Sequence, residues 1–349
     1  MNVLFLQTAH TTTDDRVFYH QYRTLVSNSH TCHILSLAGK GPGRKSIIKA
    51  LEQLSFPADV VICDSPVAVV SAKQFFRKRA SIVYDITEWY PSKKNFSGVH
   101  LFIRPFKALL LANANLLAAI KTDAFIFGEY YKARPFRCLF PRKPFLMLPY
   151  YPDLQYVKPQ PATDLSALCR LFYAGPLTED KGYCNVLNTA ILAATNKPDT
   201  RFVLTLVSDS PYTTPLSLPD NLTIEYKPYL PFPEFCQEIT QHHIFLDLRK
   251  ADFENTHCLP IKLFYYLAAA RPVIFSNLKA IRREALLSDN PAQLVSPEDT
   301  DEAAQIINGY INRPALYKAV CQRNLDIAVS KCNWTLIASA FTSFIESIR

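Results

Sequence analysis

Short apolar runs alternate with amphipathic helical patterns along almost the whole chain, and this alternation restricts the fold more than any other feature. The runs are rich in Val, Ile and Leu with little polar alternation, as in parallel strands buried on both faces. In the first half we predict strands at Val3–Gln7, His33–Leu37, Asp59–Cys63, Ser81–Ile86, Leu116–Ile120 and Phe145–Leu148. Predicted helices lie between them at Arg16–Ser27, Ser46–Leu54, Val67–Lys78, Leu101–Asn113 and Asp123–Tyr131. Such a series predicts a doubly wound α/β sheet.

A proline-rich segment, which contains Pro152, Pro159 and Pro161, interrupts the series and predicts a stiff linker. A second series follows, with strands predicted at Arg170–Tyr173, Phe202–Val207, Leu222–Tyr226, Ile244–Leu248, Pro272–Phe275 and Gln293–Val295. Its predicted helices are Tyr183–Thr195, Phe232–Gln241, Ile261–Ala270, Ile281–Ser288, Asp299–Ile311, Ala315–Val329 and Trp334–Ile348. We therefore expect two Rossmann-like domains, 1–150 and 167–333, joined by a linker at 151–166. Helix 334–349 is expected to pack back on the first domain. A ligand is expected in the cleft between the two domains.

Composition agrees with a folded protein of two domains. A chain of 349 residues exceeds one ordinary core, and 49% hydrophobic with 19% charged residues is not a disordered composition. No continuous apolar run in the sequence reaches the roughly 18–20 residues that span a bilayer. The first residues predict a buried strand rather than a signal peptide. Nine cysteines without a CxxC pair predict reduced thiols rather than disulfides or zinc.

Positive charge is concentrated in the first half. Residues 1–150 hold 20 Lys and Arg against 9 Asp and Glu, whereas the remainder holds 18 against 21. Basic and aromatic residues are mixed in Lys73–Arg79 and in Tyr130–Phe145. Such segments suit an anionic membrane surface, and a plain solvated basic face is the alternative. Nucleic-acid binding is disfavoured because the chain has no recognised module for it.

Four loops predicted to follow strands carry polar side chains that can do chemistry. His10 and Asp14 follow the first strand, where the carboxyl ends of parallel strands face a ligand, although Asp14 can equally be a helix cap. Asp85, Thr87 and Glu88 follow the fourth strand. In the second half, Lys181 precedes a helix at a glycine-containing turn and can neutralise an anion. Tyr229 lies at a strand-to-helix turn and can stack on a base or simply complete the turn.

The stretch from Leu259 to Asn277, LPIKLFYYLAAARPVIFSN, combines a Pro-started helix with a buried strand. Pro at the first helical turn costs nothing, and the N–H groups there favour an anion. This stretch resembles the donor-binding helix of family-4 glycosyltransferases, LPxKLFEYMAxGxPVI. The loop HTTTDDRV resembles the family's HPxxDxRIF, YDITEWYP resembles YDVHExYP, and YAGPLTEDKG resembles YxGxxxxxKG. The matched parts run in the family's order from His10 to Trp334.

The resemblance implies a GT-B fold and a transfer of sugar, with retention of configuration, from a UDP- or GDP-linked donor to a glycan or lipid-linked acceptor. The sequence has no Asp-x-Asp in a predicted strand-end loop, so we expect no metal and no other cofactor. We also expect no nucleic-acid partner, and a cytoplasmic location at which the basic first half could meet the inner membrane face. Donor-binding residues would be Gly175, Lys181, Tyr229, Arg249, Leu259, Pro260, Lys262 and Tyr265. Acceptor-side and catalytic residues would be His10, Asp14, Arg16, Asp85, Thr87, Glu88 and His257.

Departures from the family pattern leave a second function class open. Two family glutamates are replaced by His257 and Tyr265, the family histidine by Thr87, and the arginine after the first glycine by Pro176 and Leu177. Arg249, Lys250 or Lys262 are the candidates to replace that arginine, and His10 or His100 to replace the histidine. The alternative to an enzyme is a GT-B protein that binds a nucleotide sugar or glycan without turnover. The only near Asp-x-Asp, Asp299–Asp301, predicts a helix start rather than a metal site.

Overall fold

The computed structural model describes residues 1–88, 90–212, 217–284 and 292–348, and the structural statements below concern these residues. They form two compact units. The first comprises Met1–Tyr150 with the C-terminal helix, and the second comprises Tyr151–Trp334. Each unit is built on a parallel sheet of six strands, which confirms the predicted α/β class.

The first sheet has the strand order β2-β1-β3-β4-β5-β6, and every pairing is parallel. Its strands are β1 (Asn2–Gln7), β2 (Thr31–Ser36), β3 (Val60–Cys63), β4 (Ser81–Ile86), β5 (Ala124–Phe127) and β6 (Phe145–Met147). A π-helix, Asp15–Tyr22, runs into α1 (Arg23–Ser27), and the other helices are α2 (Arg44–Leu54), α3 (Pro66–Phe76), α4 (Arg104–Lys121) and α5 (Tyr130–Leu139). The strand order reverses at β1, so the loops after β1 and β3 meet at the switch point.

The second sheet has the order β12-β11-β10-β7-β8-β9. Its strands are β7 (Leu168–Ala174), β8 (Arg201–Val207), β9 (Leu222–Lys227), β10 (Ile244–Asp247), β11 (Val273–Ser276) and β12 (Ala292–Val295). The helices are α6 (Tyr183–Thr195), α7 (Phe232–Ile239), α8 (Phe253–Thr256), α9 (Lys262–Ala268), α10 (Lys279–Arg283), α11 (Thr300–Asn312) and α12 (Pro314–Lys331). The second half of the predicted helix Ile281–Ser288 lies outside the described residues. The switch point falls at β7, which brings the loops after β7 and β10 together.

The region from residue 101 to 131 differs from the sequence prediction. Leu116–Ile120 was expected to be a strand and instead forms the last turn of α4, while the strand, Ala124–Phe127, follows it. The helix continues through this run because Ala118 and Ala119 are fully buried, and a short apolar run has no period that separates helix from strand. The helix ends where the Thr122 hydroxyl donates to the Ile82 carbonyl at 2.8 Å.

The same region also corrects the expectation that no apolar segment is long enough to span a bilayer. One described helix, Leu101–Lys121 with its 3₁₀ start, is long and apolar enough to be a candidate membrane span by length and composition alone. The sequence prediction ended this helix at Asn113 and therefore divided its apolar length between two elements.

The C-terminal helix α13 (Thr335–Ser347) packs on the first unit beside the π-helix and α1. Phe341 and Ile345 are fully buried there. The Glu346 carboxylate lies 3.1 Å from His30 Nε2, and the Ser81 hydroxyl donates to the Ile348 carbonyl at 2.8 Å. The last turns of the chain are thus part of the first unit's core.

Candidate functional site

The loops after β7 and β10 touch through their backbones at Gly182. Gly182 has a φ of +81°, and a Cβ there would lie 2.0 Å from the Leu248 carbonyl oxygen. Only glycine combines this left-handed conformation with so close an approach. The Asn185 side chain donates to the same Leu248 carbonyl at 3.0 Å. The two loops therefore form one wall at the carboxyl edge of the second sheet.

Three cationic side chains, Lys181, Arg249 and Lys262, gather at this wall, and the Asp247 carboxylate lies near Arg249 and Lys262. Arg249 pairs with Asp247 through two contacts, Nε to Oδ1 at 2.5 Å and Nη2 to Oδ2 at 2.9 Å. The Lys262 ammonium is buried and donates to the Ala174 carbonyl at the end of β7. Two carboxylates, Asp247 and Asp180, face the three cations, because Asp180 Oδ2 lies 3.5 Å from Lys181 Nζ. The cluster therefore keeps one positive charge in excess, where a ligand anion can bind.

Burial and neighbouring charge both act on Lys262. Burial lowers the pKa of its ammonium most, the Asp247 carboxylate raises it, and the Arg249 and Lys181 charges lower it further, to about 8. A lysine whose pKa is depressed in this way gains most from an added anion. Gly175 leaves room for the arrangement, because a Cβ there would lie 3.2 Å from the Tyr173 hydroxyl and 3.5 Å from Lys262 Nζ.

Buried Asn255 holds Lys181 and the loop after β10 in place. Lys181 Nζ donates to Asn255 Oδ1 at 3.0 Å, and the Asn255 amide donates to the Asp180 carbonyl at 2.8 Å. The Asp252 side chain accepts from the Asn255 backbone N–H at 2.8 Å. Lys250, by contrast, pairs with Glu179 and Glu298, away from this set. Of the three candidates for the missing arginine, Arg249 and Lys262 join Lys181 and Lys250 does not.

The other predicted donor-side residues lie on the same unit. Leu259 and Pro260 are buried immediately before α9, which begins at Lys262 and is seven residues long. Tyr229 follows β9 with 67% of its surface exposed, and its N–H donates to the Asp209 carboxylate at 3.2 Å. The stacking of Tyr229 on a planar ligand stays a prediction.

The two residues that replace the family glutamates have different surroundings. Tyr265 is 3% exposed, with its ring edge-on to Phe232 and Phe235. His257 is partly exposed; its Nδ1 lies 2.8 Å from the Phe253 carbonyl, and its ring lies 4.8 Å from the Phe253 ring. Since a carbonyl only accepts, Nδ1 carries the proton of this bond. Tyr265 is thus a packing residue, and His257 presents an oriented ring.

In the first unit, a buried carboxylate shapes the loop that carries His10. Asp64 follows β3, is 4% exposed, and accepts from the backbone N–H groups of Thr8 and Ala9, each at 2.8 Å. The N–H of His10 lies 3.3 Å from the same carboxylate. Asp64 therefore fixes the loop after β1 at the switch point, a role that sequence analysis missed.

His10 is held as a charged imidazolium between two loops. Its Nδ1 lies 2.8 Å from Asp14 Oδ2, and its Nε2 lies 3.4 Å from the Thr87 hydroxyl. Burial lowers the pKa of His10, but the hydrogen bond and charge of Asp14, with the charges of Asp64 and Glu88, outweigh burial and raise it to about 9. At neutral pH this side chain is a hydrogen-bond donor rather than a base.

We expect Asp14→Asn to lower the pKa of His10, because the variant removes the charge that holds the proton while an asparagine keeps the cap to Val17. Ring-proton NMR should show His10 titrating near pH 9 in the wild type and at least about one unit lower in the variant. The folded-state pKa exceeds the ordinary 6.5, so His10 stabilises the fold fully below pH 6.5 and loses this effect as the pH rises through about 9. Titration near 6.5 in both proteins would contradict the ion pair.

Asp85 serves the fold rather than a substrate. Arg16 donates to both of its oxygens at 3.0 Å, and Gln21 donates to Oδ2 at 2.8 Å. Arg16 also donates to the Leu148 carbonyl at 3.0 Å and lies 4.5 Å above the Tyr150 ring. This corrects the acceptor-side role predicted for Asp85, because its carboxylate is 4% exposed and fully engaged. Arg16 braces the loop as expected.

Thr87 and Glu88 lie in the loop after β4, beside His10. Lys132 is buried, pairs with Glu129 at 2.6 Å, and donates to the Thr87 carbonyl at 2.5 Å. The Thr87 hydroxyl is therefore fixed next to His10 Nε2, and the Glu88 charge acts on the same imidazolium. Trp89 of this motif lies outside the described residues. His100 stacks on Phe102 instead, so His10 is the histidine associated with this loop.

Asp299 is a helix cap, as predicted, since its Oδ1 accepts from the Glu302 N–H at 2.9 Å. Within the described ranges, no three His, Cys, Asp or Glu side chains gather as metal ligands.

Two residues that sequence analysis missed, Asp64 and Asp247, share one signal. Each is an aspartate at the end of an apolar strand run, VVICD and IFLD, on a strand next to its sheet's switch point. A buried aspartate at that edge has to be paired, so it points to a brace or to a cationic cluster.

Comparison with solved structures identifies the fold as GT-B. A sucrose-phosphate synthase from Thermosynechococcus elongatus is 11% identical with a TM-score of 0.68, over 100% of this chain and 99% of that one. HepE of Anabaena, solved with UDP and glucose, is 14% identical with a TM-score of 0.71, over 99% of both chains. A glycosyltransferase from Rickettsia africae is 11% identical with a TM-score of 0.63, over 99% and 98%. No family model matches the sequence. A search of curated proteins also gives no match.

Proposed function

We propose that this protein is a glycosyltransferase of the family-4 type, which takes a sugar from a UDP- or GDP-linked donor bound to the second unit. The acceptor is a glycan or a lipid-linked intermediate of surface-polysaccharide assembly, bound by the first unit. The cluster of Lys181, Arg249 and Lys262 carries this proposal. A diphosphate is the anion that such a cluster suits, and HepE, which shares the fold, was solved with UDP.

The cations account for departure of the leaving group. Negative charge builds up on the donor diphosphate as the bond to the sugar breaks, and positive groups already in place stabilise it without reorganisation. Arg249 is oriented by Asp247, Lys181 by Asn255, and Lys262 by the Ala174 carbonyl. These three side chains would stabilise the leaving diphosphate without a divalent metal.

On the acceptor side, we assign His10 to hydrogen bonding as an imidazolium. Thr87 and Glu88 share its loop region and are the neighbouring polar groups that can orient a hydroxyl or phosphate. The two glutamates that many family members carry are absent from this chain, so they do not support retention of configuration here. The proposal of retention rests on the resemblance of the other motifs and on their order.

A binding protein without turnover is the second candidate function. It is favoured by one observation, the burial of Tyr265 among Phe232 and Phe235 in place of a carboxylate. Such a protein would retain the cationic cluster and bind the donor, so binding and turnover have to be measured separately.

A thermal-shift panel of UDP-, GDP- and other nucleotide sugars tests the donor assignment. A donor at about one hundred times its dissociation constant stabilises the folded state by about 2.7 kcal/mol. For a unit of this size that corresponds to a rise of roughly 5–10 °C in melting temperature. Lys181→Ala is expected to lose most of the rise.

Lys250→Ala is the matched control, since it removes the same side chain from a lysine that pairs with Glu179 instead. It should keep the wild-type rise. The absence of a rise with any nucleotide sugar would exclude the donor site, and a rise without sugar transfer or hydrolysis would identify the binding protein.

A further inference from the structure

Helix α4 carries its most apolar face outward. Phe102 is 82% exposed and Phe106 is 75% exposed, and further along the same side Leu109, Leu110, Leu116, Leu117 and Ile120 are exposed as well. Surface helices of soluble proteins normally turn such a stripe toward the core. Here the exposed stripe runs along the helix for about 27 Å, given the rise of 1.5 Å per residue.

The opposite face of α4 is used for packing within the first unit. Ala118 and Ala119 are fully buried, and Asn115 accepts a hydrogen bond of 3.0 Å from the Tyr84 hydroxyl. This side packs on α3 and β4. Because one face is committed to the protein in this way, the helix can offer the other face to a membrane surface.

The charge around the stripe selects one kind of surface. Residues 89–122 contain no Asp or Glu and five cations, of which Arg104, Lys107 and Lys121 lie on α4. Cationic groups that flank a band of Leu and Phe match anionic headgroups above acyl chains. A second copy would bring like charges together, with no carboxylate in this segment to offset them.

A second cationic and apolar segment adjoins the C-terminal end of α4. The Lys143 ammonium donates to the Ala119 and Ile120 carbonyls at 2.7 and 2.8 Å, which ties the loop after α5 to that end. Nearby, Arg134 and Arg137 line a cavity of about 400 Å³, with Arg137 lying 4.4 Å above the Phe145 ring. Residues 130–152 also lack acidic side chains.

From the outward apolar face and its acid-free cationic flanks, we propose that α4 lies in the interface of an anionic membrane. Its stripe from Phe102 to Ile120 is buried at the boundary between headgroups and acyl chains, and Arg104, Lys107 and Lys121 contact the headgroups. The cationic cavity between α5 and the loop that follows it receives a headgroup phosphate beside the helix end. This inference is independent of the nucleotide-sugar assignment, since it concerns a different surface of the first unit.

Vesicle co-sedimentation of the full chain tests the proposal. We expect binding to phosphatidylcholine vesicles that contain about 30% phosphatidylglycerol and much weaker binding to phosphatidylcholine alone. Raising the salt from about 0.05 to 0.5 M should weaken binding severalfold through screening, while the apolar contribution persists. Failure to bind anionic vesicles at low salt would overturn the proposal.

Phe106→Ser/Leu110→Ser should reduce vesicle affinity by about tenfold or more, because two large apolar side chains leave the interface. Val329→Ser/Leu336→Ser, at exposed apolar positions of α12 and α13, is the matched control and should bind as the wild type does. Equal vesicle binding by Phe106→Ser/Leu110→Ser and the wild type would overturn the role of α4.

Light scattering tests whether a second copy of the chain covers the stripe instead. A wild-type dimer that Phe106→Ser/Leu110→Ser converts to monomer would assign the stripe to a second copy and overturn membrane docking. Donor-induced thermal shifts should be the same in both variants.

Discussion

Lys262→Met is expected to weaken UDP binding by about ten- to a hundredfold, since a hydrogen bond between charged groups contributes about 1.5–3 kcal/mol. Sugar transfer should fall by about 10²–10³, the usual loss when one group that stabilises developing charge is removed. The reason lies in the cluster at the carboxyl edge of the second sheet, where partly buried Lys262 lies near Arg249 and Lys181 and the three cations outnumber the carboxylates Asp247 and Asp180.

The same variant should not melt below the wild type at pH 7. Burial and like charge hold the pKa of Lys262 at about 8 rather than 10.5, so its ammonium destabilises the folded state below about pH 8 and this cost disappears toward pH 10.5. Methionine removes the cost at neutral pH. Loss of a ligand together with an unchanged or higher melting temperature is the signature of a residue kept for binding.

The pH dependence of UDP affinity gives an independent check by calorimetry. If the diphosphate binds the protonated lysine, wild-type affinity declines as the pH rises through about 8, whereas Lys262→Met shows no such decline. Lys250→Met, which removes a lysine paired with Glu179, should behave as the wild type does. Wild-type UDP affinity in Lys262→Met would remove this residue from the donor site, and a large fall in its melting temperature would make it structural.

Arg16→Met is expected to lower the free energy of unfolding of the first unit by about 3–5 kcal/mol, the usual cost of leaving a buried charge without its partner. The variant leaves Asp85 buried with Gln21 as its remaining side-chain donor, and it also removes the bond to the Leu148 carbonyl. Urea unfolding followed by circular dichroism measures the change. The transition of the first unit should shift, and that of the second should not.

A double-mutant comparison separates the ion pair from simple packing. Arg16→Met/Asp85→Asn should recover part of the loss, because the unpaired charge is then gone. Arg23→Met is the control: Arg23 is exposed above the Phe18 and Tyr19 rings, each 5.2 Å from its guanidinium, and its loss should change stability by no more than about 0.5 kcal/mol. A double variant as unstable as the sum of its singles would exclude coupling.

Much of the fold could be predicted because strands that are buried on both faces have continuous apolar sequences. Ser81–Ile86 and Tyr183–Thr195 have the predicted bounds. The error at Leu116–Ile120 shows where this signal fails, since Leu-Leu-Ala-Ala-Ile suits a buried strand and the end of a helix equally well. The burial of Ala118 and Ala119 in the folded unit favours the helix. Such packing depends on the whole unit and cannot be predicted from this short run alone.

The candidate site could be predicted only in part, because its contacts join residues far apart in sequence. Lys181 was identified by its turn, but only the strand order, with β10 beside β7, brings Arg249 and Lys262 to it and sends Lys250 elsewhere. Asp85 was predicted to be an acceptor-side residue, although Arg16, which is distant in sequence, holds its carboxylate in the interior. Spacing along the chain contains no information about either partnership.

The packing of α13 has a consequence for biosynthesis. The second unit is one uninterrupted stretch, whereas the first needs residues 335–347, which are synthesised after the whole of the second unit. At about 5–20 residues per second, the sheet of the first unit waits roughly 10–40 s after residue 150 for the helix that brings Phe341 and Ile345 to its core. The second unit therefore has all of its residues before the first unit does, which reverses the usual order in which domains are completed during synthesis. We therefore expect the nascent first unit to be the part of the chain that depends on a chaperone during that interval.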